Sequence, residues 1–202
     1  MAREEIDTIL KYLPRKGVYV EWGAGGSTLL YPRYVKKAIS IEHVQPWCQK
    51  VERELAMEQE KTGELKNVDF YCVPIKRVDG SDKYFINENE GDYRTFKRYV
   101  DYLEQVGVEK VDFALIDGRA RVAVALRVLP FLKEASVVAV HDTQHRPEEY
   151  KEIFEHYDLV EKAVGKDERG ISILKRKEKY REGKGLPVSE EYINELYNHL
   201  PH

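Results

Sequence analysis

Leu159-Val160-Glu161-Lys162-Ala163-Val164, then Gly165-Lys166-Asp167-Glu168-Arg169-Gly170, then Ile171-Ser172-Ile173-Leu174 is the stretch on which the fold turns. Two β-rich runs flank a polar link of only six residues. A parallel pair needs a crossover of roughly a dozen residues or more, so these two strands must form an antiparallel hairpin. The chain therefore ends its strands in a different sense from the pattern that precedes them.

Upstream of the hairpin, short β-rich runs alternate with longer helical ones. The runs are Gly17–Glu21, Ala38–Glu42, Val68–Val73, Val111–Ile116 and Ser136–Val140, the last two almost continuously apolar. Such runs suit strands covered on both faces of a parallel sheet. Between them, Pro46 to about Lys61, Asp92 to about Val106 and Arg119 to about Ala135 carry apolar residues at helical spacing, with Pro130 expected at a kink or near a helix end. A further helix is expected from Pro147 to about His156. The sum is an α/β, doubly wound, seven-stranded sheet, mostly parallel with a C-terminal antiparallel hairpin and helices on both faces.

The rest of the chain reads as follows. Met1 to Lys11 interleaves Ile6, Ile9 and Leu10 with charges and predicts an amphipathic helix rather than a secretory signal. Lys175 to about Lys184 is densely charged and reads as a solvated linker, after which Ser189 caps a last helix carrying Tyr192, Ile193, Leu196 and Tyr197. A main unit over 1–176 and a linker with a helix over 177–202 follow. Cys48 and Cys72 lie far apart, in no CxxC or Cys/His cluster, and are expected to be buried, inert thiols. The net charge of -3 gives no basic field for nucleic acid, and no run approaches the roughly 20 apolar residues of a membrane span. A small-molecule partner and a cytoplasmic location are the default expectations.

Candidate chemistry begins at Val18-Tyr19-Val20-Glu21-Trp22-Gly23-Ala24-Gly25-Gly26-Ser27-Thr28, a strand that runs into a glycine-rich turn and then a helix. Glycines there permit positive φ and close approach of backbone to a ligand. The segment resembles the first motif of class I S-adenosylmethionine-dependent methyltransferases, an acid followed by GxGxG, with Glu21, Gly23 and Gly25 in the matching places. Ser27 stands where that family commonly has a third glycine, with Gly26 beside it, and Thr28 departs from the dinucleotide GxGxxG pattern. The resemblance implies a Rossmann-like fold that binds S-adenosylmethionine on Gly23, Gly25, Gly26, Ser27 and Thr28, with Glu21 serving the methionine ammonium. Glu42 lies 17 residues beyond Gly25, near the roughly 20-residue offset at which an acid meets ribose hydroxyls. The resemblance gives it that role and places His43 and Trp47 near adenine.

Two further strand ends carry polar residues, Ile116-Asp117-Gly118-Arg119-Ala120-Arg121 and Val140-His141-Asp142-Thr143. They resemble the small-molecule O-methyltransferase branch of the family, which implies catalytic roles for Asp117, His141 and Asp142. His141 would be either the general base for a hydroxyl acceptor or a third ligand to a metal. In metal-dependent members Asp117 and Asp142 would hold Mg2+, although His141-Asp142 replaces the Asp-Asn of catechol-type enzymes. Arg119 and Arg121 either grip an acidic acceptor or project to solvent. The aromatic segment from Lys76 to Tyr102 offers a lid, with Tyr84 and Asn87–Asp92 its best candidates. The expected function is O-methyl transfer; a binding module without turnover and an NAD-dependent oxidoreductase are the rivals.

Overall fold

The computed structural model describes residues 1–75, 92–144, 147–165, 170–180 and 183–200. Lid candidates Tyr84 and Asn87–Gly91 lie outside them. Seven strands form one sheet in the order β3-β2-β1-β4-β5-β7-β6. They are β1 (Val18–Trp22), β2 (Lys37–Glu42), β3 (Val68–Cys72), β4 (Val111–Ile116), β5 (Leu132–His141), β6 (Tyr157–Val164) and β7 (Gly170–Arg176). The first five strands pair in parallel, and β7 runs antiparallel to both β5 and β6, as the short link demands.

Alternation along the central strands builds two apolar layers. Val20, Trp22, Ala114, Ile116, Val138 and Val140 face one way, while Tyr19, Phe113, Leu115, Val137 and Ala139 face the other. The first layer is covered by α4 (Tyr93–Val100), α5 (Arg121–Val128), α6 (Pro147–His156) and α7 (Glu190–Tyr197); the second takes Ile9 and Leu13 from α1 (Arg3–Tyr12) and its end. The remaining helices are α2 (Gly26–Leu30) and α3 (Gln45–Thr62).

Three expectations shift. The helix begun at Arg121 stops at Val128, because Pro130 cannot donate a helical hydrogen bond; a 3-10 turn over Leu129–Phe131 leads straight into β5, which claims Leu132–Ala135 as strand. The charged segment after β7 is not wholly solvated: Tyr180 is buried, with its hydroxyl 2.7 Å from His156 Nδ1. Beyond it, Ser189 caps α7 as expected, and Ile193 and Tyr197 join the apolar layer, where the Tyr197 hydroxyl accepts from the Ala123 amide.

The third shift concerns the cysteines. Cys48, in the first turn of α3, and Cys72, at the end of β3, form a disulfide across 24 residues. Parallel pairing of β3 with β2 brings the end of β3 beside the start of α3, which sequence distance conceals. A loop of that length contributes about 3 kcal/mol when closed. Denaturation in the presence of reductant, or of Cys72→Ser, should show a loss of that order, and the unfolded unreduced protein should yield no titratable thiol; two titratable thiols with unchanged stability would contradict the bridge.

Candidate functional site

The parallel register brings the ends of β1, β2 and β4 together, and the glycine turn emerges between them. Gly23 has φ +96°, and a Cβ there would stand 2.6 Å from the Gly118 amide nitrogen, so the ends of β1 and β4 touch only because both residues are glycine. Gly25 differs. Its backbone is extended (φ 172°), and a Cβ would meet only Trp47 at 3.7 Å. Gly26 has nothing within 4 Å of its Cβ position. The turn thus opens onto a cavity of about 420 Å³ lined by Gly23, Ala24, Gly25, Gly26, Ser27 and Asp117, with apolar walls from Met1, Ile6, Leu30, Tyr31 and Trp47.

Two carboxylates hold the turn. Glu21 is fully buried beneath it and accepts from the hydroxyls of Tyr19 (2.8 Å), Thr28 (2.5 Å) and Ser40 (2.5 Å). Burial raises its pKa, against the hydroxyl donors led by Ser27. Glu21 therefore braces the turn from below and is not among the residues lining the cavity, so of the two ways it is expected to serve a ligand ammonium, directly or through water, direct contact is the one this placement does not provide. Thr28 has the same structural character, since its hydroxyl also accepts from the Gly25 amide at 3.0 Å. Glu42 accepts from the Ala24 amide at 3.0 Å through one oxygen and from the His43 and Val44 amides at 2.7 and 2.8 Å through the other. Burial nevertheless pushes its pKa up to about 7. Trp47 closes the outer side by donating its indole N–H to the Ala24 carbonyl at 2.6 Å.

His43 lies beside this cradle, buried against Phe96 and Tyr99 with ring centroids at 5.2 and 4.8 Å. Its ring nitrogens find no hydrogen bond among the described residues, and burial, aided by the Arg119 charge, lowers its pKa to about 4. Nδ1 lies 3.3 Å from Glu42 Oε1, and the imidazole, with no aligned hydrogen bond at either nitrogen, is a candidate contact for a heterocyclic ligand. Neither His43 nor Glu42 is among the residues lining the cavity.

At the β4 and β5 ends the expected catalytic residues do meet, in another arrangement. His141 is buried, with Nδ1 3.0 Å from Asp117 and 3.2 Å from Asp142, and Nε2 3.0 Å from Glu5 of α1. These contacts are close enough for ion pairing though not aligned as hydrogen bonds. Burial opposes the charged imidazole, but the carboxylates, Asp117 foremost, outweigh it and push its pKa to about 10. The acids around it favour the charged imidazole, a state in which it donates rather than accepts a proton. The metal expectation changes too: the imidazole stands between the two acids, and among the described residues no group of three or more His, Cys, Asp or Glu side chains is disposed to hold a metal ion. Arg121 is a brace rather than a free grip, donating to the Gly118 and His141 carbonyls and the Tyr150 hydroxyl and pairing with Asp142 at 3.4 Å. Only Asp117 of this group lines the cavity. The contribution of α1, through Glu5 and Ile6, had no signal in the sequence beyond its amphipathic pattern.

No protein-family model matches the chain, and no curated protein sequence does. Solved structures do. The chain is similar over 100% of its length, and 96% of the other's, to a methyltransferase-like protein from Silicibacter pomeroyi, with TM-score 0.66 and 17% identity. A putative type 11 methyltransferase from Sulfolobus solfataricus gives TM-score 0.52 at 15% identity, over 87% of this chain and 93% of that one. A mutant of MtNAS in complex with S-adenosylmethionine gives 0.53 at 10% identity, over 85% of this chain and 59% of that one. At such identities the likeness is one of fold.

The raised pKa of His141 carries a pH signature. Stability from its ion pairs is fully present below about pH 6.5 and lost as pH rises through about 10. Wild type should lose stability over that interval relative to His141→Gln, and the His141 ring protons should show no NMR titration below pH 8. A midpoint near 6.5 would contradict the charged cluster.

Proposed function

We propose that the chain binds S-adenosylmethionine on the Gly23–Ser27 turn and transfers its methyl group to a small hydroxyl-bearing acceptor. The observation that carries this reading is the turn itself: glycine backbone, held from beneath by Glu21 and from the side by Glu42, open to a cavity of about 420 Å³ that the Asp117 carboxylate also lines. The mostly parallel sheet ending in an antiparallel hairpin, shared with methyltransferase-like structures, supports it.

The residues fit such a cofactor. The amides of Gly26 and Ser27 and the open space beside them receive its amino-acid end. Glu42 Oε2 accepts one hydrogen bond in the fold and keeps capacity for a ribose hydroxyl. His43 offers its unsatisfied ring nitrogens to adenine. When bound, the cofactor supplies a methyl carbon made electrophilic by its sulfonium. The protein's task is then alignment of the acceptor oxygen and exclusion of water. We assign Asp117, which lines the cavity, to orient the acceptor hydroxyl and take its proton as the methyl carbon passes from sulfur to oxygen and S-adenosylhomocysteine leaves, while His141, itself beside Asp142, holds Asp117.

One observation favours a second reading, binding without turnover: the strand-end imidazole expected to remove a proton is buried among Asp117, Asp142 and Glu5 and is not among the residues lining the cavity. The two readings part on whether S-adenosylhomocysteine accumulates with any hydroxylated acceptor.

Binding is tested by calorimetric titration with S-adenosylmethionine, S-adenosylhomocysteine and NAD. The first two should bind and NAD should not. Gly25→Arg should abolish binding while the circular dichroism spectrum persists, because the extended backbone and the ordinary contact with Trp47 admit a side chain that fills the cavity. Binding of NAD alone, or unaltered affinity in the variant, would overturn the assignment.

A further inference from the structure

The first turn of α1 carries a feature that cofactor binding does not require. Glu4 in that turn and Asp7 just beyond it are exposed, yet Glu5 between them is only 1% exposed. One Glu5 oxygen accepts from the Ala2 amide at 2.5 Å, bracing the helix start, and the other lies 3.0 Å from His141 Nε2. A carboxylate taken out of water at such a position is costly unless a cation compensates it. His141 is that cation. The groups facing it are Glu5 from α1, Asp117 after β4, and Asp142 after β5, with Arg121 of α5 paired to Asp142 and donating to the His141 carbonyl.

The rest of α1 is anchored elsewhere. Ile9 and Leu13 are buried in the apolar layer, and Lys11 and Tyr12 donate to Glu161 of β6 at 2.5 and 2.6 Å. The first turn has Glu5 as its buried polar anchor, and that turn sends Ile6 into the wall of the cavity opposite the glycine loop.

We propose that Glu5 is a positioning residue acting through His141, a latch that seats the first turn of α1 against the strand ends so that Ile6 closes the cavity and slows release of a bound ligand. The effect on ligand rests on reading the cavity as the S-adenosylmethionine site; the latch itself does not. Removing His141 leaves the Glu5 carboxylate buried with no cation against it, whereas removing Glu5 leaves His141 its contacts with Asp117 and Asp142 but takes from the first turn its tie to the strand ends; either change loosens the turn more than loss of an exposed ion pair would.

The test measures amide hydrogen exchange over residues 4–8 in the ligand-free protein for wild type, Glu5→Gln, His141→Gln, the double variant and the exposed control Glu4→Gln, together with the dissociation rate of S-adenosylhomocysteine. Exchange should rise about tenfold or more in each latch variant, no further in the double variant, and not at all in the control; ligand release should quicken by about tenfold in Glu5→Gln. If His141→Gln does not fold, the comparison of Glu5→Gln with the exposed control Glu4→Gln carries the test, with faster exchange expected in the first alone. Unchanged exchange in Glu5→Gln, or independent additive effects, overturns the latch. Faster exchange with unaltered ligand release overturns its positioning role. If wild type binds no S-adenosylhomocysteine while the exchange pattern holds, the cofactor reading falls and the latch stands.

Discussion

A carboxylate buried under the glycine turn organises the site. Glu21 is fully buried, and its oxygens are shared by the hydroxyls of Tyr19 on β1, Ser40 on β2 and Thr28 on α2, so one side chain ties two strands to the helix that follows the turn. Without those donors the acid would face an apolar interior at a cost of several kcal/mol. With them it fixes where β1 ends and where the chain must bend. Gly23 makes the bend and touches Gly118 across the strand ends, which sets the distance between the turn and Asp117.

From that constraint the site divides by depth. Backbone amides, small residues and apolar side chains line the cavity, while Glu21, Thr28, His141 and Asp142 sit behind them, held by the fold. Glu42 secures Ala24 and the start of α3, and Arg121 secures the carbonyls at the ends of β4 and β5. α2 has only five residues, so little macrodipole reaches the turn and its hydrogen-bonding character comes from the loop amides. The charge gathered around His141 is nearly internal, with Asp117 its one face toward the cavity.

The sheet was legible because its evidence is local: apolar runs, helical spacing and a link too short for a crossover. The glycine turn was legible for the same reason, since strand, turn and helix are contiguous. What was hidden depends on which residues the sheet brings together. Cys48 and Cys72 meet because β2 and β3 are parallel neighbours, and their separation in sequence gives no hint of it. The surroundings of His141 include Glu5, which lies 136 residues away in the chain and reads as one acid among several on an amphipathic helix. Motif reading finds candidate acids and bases; it does not reveal which of them neutralise one another.

The most direct test of the central claim is the amide NMR spectrum of isotopically labelled protein titrated with S-adenosylhomocysteine. Shifts concentrated at Gly23–Ser27, with further changes at Glu42–Val44 and at Asp117–Gly118, are the result expected of a ligand seated on the turn. An unperturbed spectrum, or shifts confined to residues away from these strand ends, would contradict the account and leave the glycine turn as a packing device between β1 and β4.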